Sequence, residues 1–138
     1  ISASALKVNQ SAMSIVSNNI ANVNTTSTAS GGPYRRKIVT FSEKNVTPFS
    51  QVYSASKNAA VGNGVKVSSV KSDYSTDFIK EYDPSNPDAD ADGYVSYPNV
   101  NTVTEMTNLI DATRAYEANA TAFESSKAMA EKGLQIGK

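Results

Sequence analysis

The first 23 residues contain neither glycine nor proline and repeat apolar positions at helical spacing. Ile1, Ala5, Val8, Ala12 and Ile15 alternate by four and three, the period of a coiled-coil seam. Leu6, Met13, Val16, Ile20 and Val23 form a flanking row. At about 100° per residue the two rows together cover roughly half of the helix circumference, more than one partner helix can cover. The far end of the chain repeats the theme. After Pro98, Thr102 and Glu105 make a capping-box signal, T-V-T-E, in which hydroxyl and carboxylate each satisfy an orphan backbone donor. Met106, Leu109, Thr113, Tyr116, Ala120, Phe123, Lys127, Ala130 and Leu134 then alternate by three and four. With Gly133 or Gly137 as the stop, this predicts a helix of about 30 residues and about 45 Å.

Residues 24–101 read differently, rich in Ser, Thr, Asn, Asp and Gly, with short β-favouring runs at 34–41, 64–70, 77–82 and 93–97. Gly31-Gly32-Pro33, Gly62-Asn63-Gly64 and the stretch from Asp83-Pro84 to Gly93 separate them. The expected fold is mainly α with a small β-containing insertion. Two long terminal helices (1–26 and 102–138) pair as a coiled coil in one inner-core domain, and short antiparallel strands and extended loops (27–101) form an outer region.

Asparagine disfavours helix interiors by about half a kcal/mol against alanine, yet four of them fall within Ser17–Thr26, "SNNIANVNTT". Asn19 and Asn22 continue the seam after Ile15. A polar seam residue fixes register because its amide must find a partner. The alternative is that Asn22, Asn24, Thr25 and Thr26 end the helix, since Asn tolerates the left-handed conformation and the Asx turn. On the register reading, leucine at position 19 or 22 leaves the helix intact or stronger but impairs ordered polymerisation.

The composition narrows the chemistry. There is no cysteine and no histidine, which removes thiolate nucleophiles, imidazole bases and the usual zinc and haem ligands. Thirteen basic residues balance thirteen acidic ones, without the basic, aromatic-interleaved stripe of a nucleic-acid binder. Near-zero net charge also removes the long-range repulsion that keeps copies apart. No apolar run is long enough to cross a bilayer. No cofactor, metal, nucleic acid or direct membrane insertion is expected.

Three constellations carry competing chemistry. Asp88-Ala89-Asp90-Ala91-Asp92-Gly93 opens like a calcium loop, but its twelfth position is Asn99 instead of a bidentate glutamate. The alternatives are a solvated acidic turn, or an acidic patch meeting a neighbour's Arg35-Arg36-Lys37, itself otherwise an exposed strand start. Glu81, Asp83 and Asp88 could supply a glycosidase pair, with no sign of a rigid cleft around them. On the second helix Arg114, Glu117 and Asn119 surround Tyr116, as ordinary helix contacts or as hydrogen-bonding groups between helices or subunits.

"SNNIANVNTT", "GPYRRK" (32–37), "DPSNPDADADGYVSYPNVN" (83–101) and "EMTNLIDATRAYEAN" (105–119) together resemble the rod and hook family of bacterial flagellar axial proteins. Within it the likeness is to the proximal rod subunits, with distal rod or hook-type subunits as the alternative. Residues 45–63 match no family pattern. The resemblance implies a structural subunit, not an enzyme, whose terminal helices pack with neighbouring copies around a central channel in the basal-body rod crossing the periplasm. It further implies export through the flagellar type III apparatus without a cleaved signal, and torque transmission to the hook. Other copies, other rod proteins, basal-body rings and export-gate components are the implied partners. The matching signature positions are Asn19, Asn22, Asn24, Thr25, Tyr34, Arg35, Asp88, Asp92, Gly93, Tyr94, Pro98, Asn99, Arg114, Tyr116, Glu117 and Asn119. The expected interface adds the seam positions Ile1 to Ile15 with Ile20, and Met106, Leu109, Thr113, Ala120 and Phe123.

Overall fold

The computed structural model describes residues 1–44 and 63–137. Helix α1 spans Ser2–Ala21, followed by strands β1 (Lys37–Glu43), β2 (Val65–Ser72), β3 (Ile79–Tyr82) and β4 (Tyr94–Tyr97), and helix α2 (Thr102–Ile136). The protein is mainly helical, with two small antiparallel sheets inserted between the helices.

The two helices pack against each other. They run antiparallel, since the end of α1 meets the start of α2 at Asn19 and Glu105, and Met13 Sδ accepts from the Thr113 hydroxyl at 3.5 Å further along. Val8, Ala12, Val16 and Asn19 form the buried stripe of α1. Ile1, expected on the seam, is 65% exposed at the N-cap, beyond the packed turns. Ala5, Ile15 and Ile20 are half-buried at the edges of the stripe.

The 35 residues of α2 give it a length of about 52 Å, against about 30 Å for the 20 of α1. Its seam is less covered than its period suggested. Leu109 and Ala120 are half-buried, whereas Met106, Thr113, Tyr116 and Phe123 are exposed, as is every residue from Thr121 to Gly137. The start also differs from the capping-box expectation. Asn101 is the N-cap and its side chain accepts from the Thr104 N–H at 3.1 Å. Glu105 is thereby released from capping duty and turns inward.

β1 and β2 pair with Val39 opposite Val70 and Phe41 opposite Val67, and the register shifts between Thr40 and Phe41 so that Ser68 has no opposite number. The shift keeps Val39, Phe41, Val65, Val67 and Val70 on one face of the sheet, of which Val39, Val65 and Val67 are half-buried while Phe41 and Val70 stay exposed. Chain entry into β2 is tight: Gly64 has φ +91°, a Cβ there would lie 2.5 Å from Ser4 Oγ, and that hydroxyl accepts the Val65 N–H at 3.1 Å. β3 and β4 form a hairpin closed by Tyr82 and Tyr94, whose rings meet edge-on at 5.3 Å. Val95, Pro98, Asn99 and Val100, in β4 and just after it, are all buried.

The apolar core is thus limited to Val8, Ala12, Val16, Val95 and Val100 among the described residues. A compact 14.6 kDa monomer exposes about 6,900 Å²; this chain exposes 9733 Å².

Candidate functional site

Among the described residues, the densest long-range hydrogen bonding lies at the junction where the end of α1, the start of α2 and residues 34–37 meet. Asn19, 1% exposed, uses its whole amide there. Its Nδ2 donates to the Lys37 carbonyl and to Glu105 Oε2, both at 2.9 Å, and its Oδ1 accepts from the Lys37 N–H at 2.9 Å and the Tyr34 hydroxyl at 3.0 Å. Glu105, also 1% exposed, receives Arg36 on its other oxygen, from Nε at 2.8 Å and from a terminal nitrogen at 2.7 Å. A buried carboxylate is tolerable when it is paired and hydrogen-bonded in this way. Burial and the nearby Glu105 charge push the Tyr34 hydroxyl pKa upward.

The network extends through the backbone of Arg36. Its N–H donates to Asn99 Oδ1 at 2.9 Å and its carbonyl accepts from the Asp73 N–H at 2.8 Å. The Asn99 amide donates in turn to the Asp73 and Thr76 carbonyls, each at 3.1 Å. The Ser75 and Thr76 hydroxyls, with their backbone N–H groups, hold the Asp73 carboxyl well below the usual carboxylate range. Arg35 donates to the Asp73 carbonyl, and its guanidinium lies 4.1 Å from the Phe78 ring centre and 4.6 Å from that of Tyr74. No buried side-chain nitrogen or oxygen among the described residues lacks a partner. Such a satisfied network rigidifies what it joins.

The basic run Arg35-Arg36-Lys37 is therefore not an exposed strand start: Arg36 is paired with Glu105 and Arg35 is held by a carbonyl and two rings without a carboxylate among the described residues, and regular pairing begins at Lys37. Asn22 sits apart as the α1 C-cap, donating to the Asn18 carbonyl at 2.8 Å and accepting from the Thr25 hydroxyl at 3.2 Å. Asn24 is exposed. Asn119 donates to the Ala115 carbonyl of its own helix at 2.7 Å, while Arg114, Tyr116 and Glu117 face outward. Residues 45–62 of the unmatched segment lie outside the described residues.

The acidic hairpin loop is shaped by its own side chains. Asp83 Oδ1 accepts from Ser85, Asn86 Oδ1 from the Asp88 N–H, and Asp90 Oδ1 from the Asp92 and Tyr94 N–H groups. Asp88 accepts the Thr26 hydroxyl at 2.7 Å, tying the loop to the segment after α1. Gly93 supplies the left-handed turn at φ +81°. Asp90 thus spends one oxygen on backbone donors instead of directing both toward an ion. No metal-holding group of three or more acidic, His or Cys side chains occurs among the described residues.

Sequence reasoning missed Glu105, Arg36 and Asp73 as junction members. One signal was present: Glu105 lies four residues before Leu109 and seven before Ala112, a carboxylate in line with apolar positions.

Two family models match the chain: "Flagella basal body rod protein" over residues 1–27 and "Flagellar basal body rod FlgEFG protein C-terminal" over residues 91–136. A flagellar basal-body rod protein FlgC of Bacillus subtilis strain 168 is 44% identical over 144 aligned residues, covering 100% of this chain and 95% of the relative. FlgC of Borreliella burgdorferi is 44% identical, covering 88% and 84%. FlgC of Escherichia coli O6:H1 is 38% identical, covering 99% and 93%.

Proposed function

The chain belongs to the FlgC family of flagellar basal-body rod proteins and is a structural subunit of the proximal rod, and from that premise we propose how it is built into the rod. The terminal helices α1 and α2 pair with each other in coiled-coil fashion as one inner-core domain and pack with neighbouring subunits around the export channel. The region between them forms the outer face. Torque passes through these packed helices, and the subunit has no catalytic role. Other copies, other rod proteins and the ring and export-gate components are its partners.

One observation carries this reading: the apolar positions of α2 are left uncovered, Met106 at 51% and Leu134 at 75% exposure. At about 25 cal/mol per Å² their burial against neighbours favours assembly by several kcal/mol before ordering costs are subtracted. The expected interface set, Ile1 through Ile15 and Met106 through Phe123 with Arg114, Glu117 and Asn119, divides accordingly. Val8, Ala12 and Asn19 serve the subunit's own fold, and the exposed members serve its neighbours.

The test is to replace Met106 and Phe123 by glutamate. Both are exposed, so the purified chain keeps its melting temperature while rods fail to assemble and cells stop swimming. Normal rods in electron micrographs of basal bodies carrying this variant would refute the reading.

A further inference from the structure

Although the chain is neutral, its charges are segregated. Residues 77–92 carry six acidic side chains against one basic, whereas residues 34–44 and 63–72 together carry six basic against one acidic. The acidic group is presented on the hairpin loop, with Asp88, Asp90 and Asp92 exposed. On the basic side lies an open cleft of about 520 Å³, lined by Thr28, Ser30–Pro33, Tyr34, Arg35, Lys37, Ser72, Tyr74 and Phe78. It has two cations and no carboxylate in its wall. Arg35 lies there between Tyr74 and Phe78 and donates to the Asp73 carbonyl, with no carboxylate among the described residues to neutralise it. Lys37 reaches over the Tyr34 ring at 5.8 Å and has no carboxylate partner among the described residues. No residue of the chain's own acidic loop, 83–93, lines this cleft.

We propose that this cationic, aromatic-walled cleft receives the Asp88–Asp92 loop of a second copy of the chain. The inference rests on the rod reading and names one contact between neighbours within it. The occupant is argued from charge: the cleft lacks anions, and the chain presents a loop of alternate aspartates that its own turns hold in shape. Donor and acceptor surfaces differ, so the contact is heterologous. Repeated head to tail it continues instead of closing as a two-fold pair. Its cations orient the incoming subunit more than they bind it, as rim charges do.

The chain has no cysteine, so the engineered thiols are the only ones it carries. Subunits carrying Ser30→Cys and subunits carrying Ala91→Cys are expressed together, basal bodies are isolated and oxidised, and the rod is examined on a denaturing gel. The expected result is a dimer of twice 14.6 kDa only when both variants are present. Lys37→Asp or Asp92→Lys alone lowers the dimer yield and swimming, the yield by about fivefold, equivalent to about 1 kcal/mol; the two exchanged together restore both. Normal rods without the dimer overturn the docking contact and leave the rod reading standing. A cross-link to a chain of another mass assigns the cleft to a different rod protein and overturns self-docking. If the double exchange restores neither yield nor swimming, the charge pairing is wrong.

Discussion

Leucine at position 19 separates two accounts of the asparagine-rich end of α1. On periodicity alone the substitution completes an apolar seam and strengthens the helix. In the folded chain it removes four hydrogen bonds of 2.9–3.0 Å at once. Glu105 keeps its two contacts from Arg36, and Tyr34, half-buried, can turn to water. The unrelieved loss falls on the N–H and carbonyl of Lys37 and on one oxygen of Glu105. At about 1–3 kcal/mol for each buried group left unpaired, with partial relief, this amounts to about 4 kcal/mol. Leucine returns about 0.5 kcal/mol in helix propensity. A net destabilisation of about 3 kcal/mol is a large part of the roughly 5–15 kcal/mol that holds a domain of ordinary stability. Urea unfolding of the purified chain, followed by far-ultraviolet circular dichroism, would show the midpoint lowered by about 1.5–2 M for a slope near 1.5–2 kcal/mol/M. Asn22→Leu serves as the control, since its lost contacts lie at a solvent-facing cap and cost about 1 kcal/mol or less. Equal midpoints for the two variants would show that the junction does not hold the helices together.

Three further outcomes follow from the same contacts. Arg36→Met strands the Glu105 carboxylate and costs about 3–5 kcal/mol, whereas Arg36→Met with Glu105→Leu recovers most of it; a thermal double-mutant cycle with additive losses would contradict the pairing. The Asp73 carboxyl has a folded-state pKa below its ordinary 3.8, so its stabilising effect is fully present above about 3.8 and is lost as pH falls below that value. Asp73→Asn should therefore flatten the fall of melting temperature between pH 4 and pH 2, and an unchanged slope would count against the Ser75 and Thr76 contacts. In hydrogen exchange on the dilute chain, amides of α1 from Val8 to Asn19 and of α2 from Leu109 to Asn119 should be protected, and those of residues 121–136 should exchange fast; uniform protection along α2 would show that its exposed half is covered.

Elements with strong local signals were readable in advance. The two helices end within a few residues of where their periods and glycines placed them, and all four β-favouring runs became strands. What could not be read was the use of polar residues across long separations. Asn19 advertises a buried amide by its place in the seam, but nothing local says that its partners are Lys37 and Glu105. The T-V-T-E motif satisfies the capping rule so well that it concealed the real arrangement, in which Asn101 caps and Glu105 turns inward. Arg35 and Arg36 read as surface charge because their aromatic and carboxylate partners lie at positions 74, 78 and 105. Short-range chemistry predicted where elements start and stop; the pairing of buried charges depended on topology.

The Asn19–Glu105 contact joins residues 86 positions apart, and this imposes an order on folding. The bends of the acidic loop each close over two to four residues and can form within tens of nanoseconds to microseconds. The junction must wait for a long-range encounter, which loop-closure entropy makes slow. Until the two helices share the same space the junction cannot close, so the bends of the hairpin take shape before the two halves of the chain are fastened to each other.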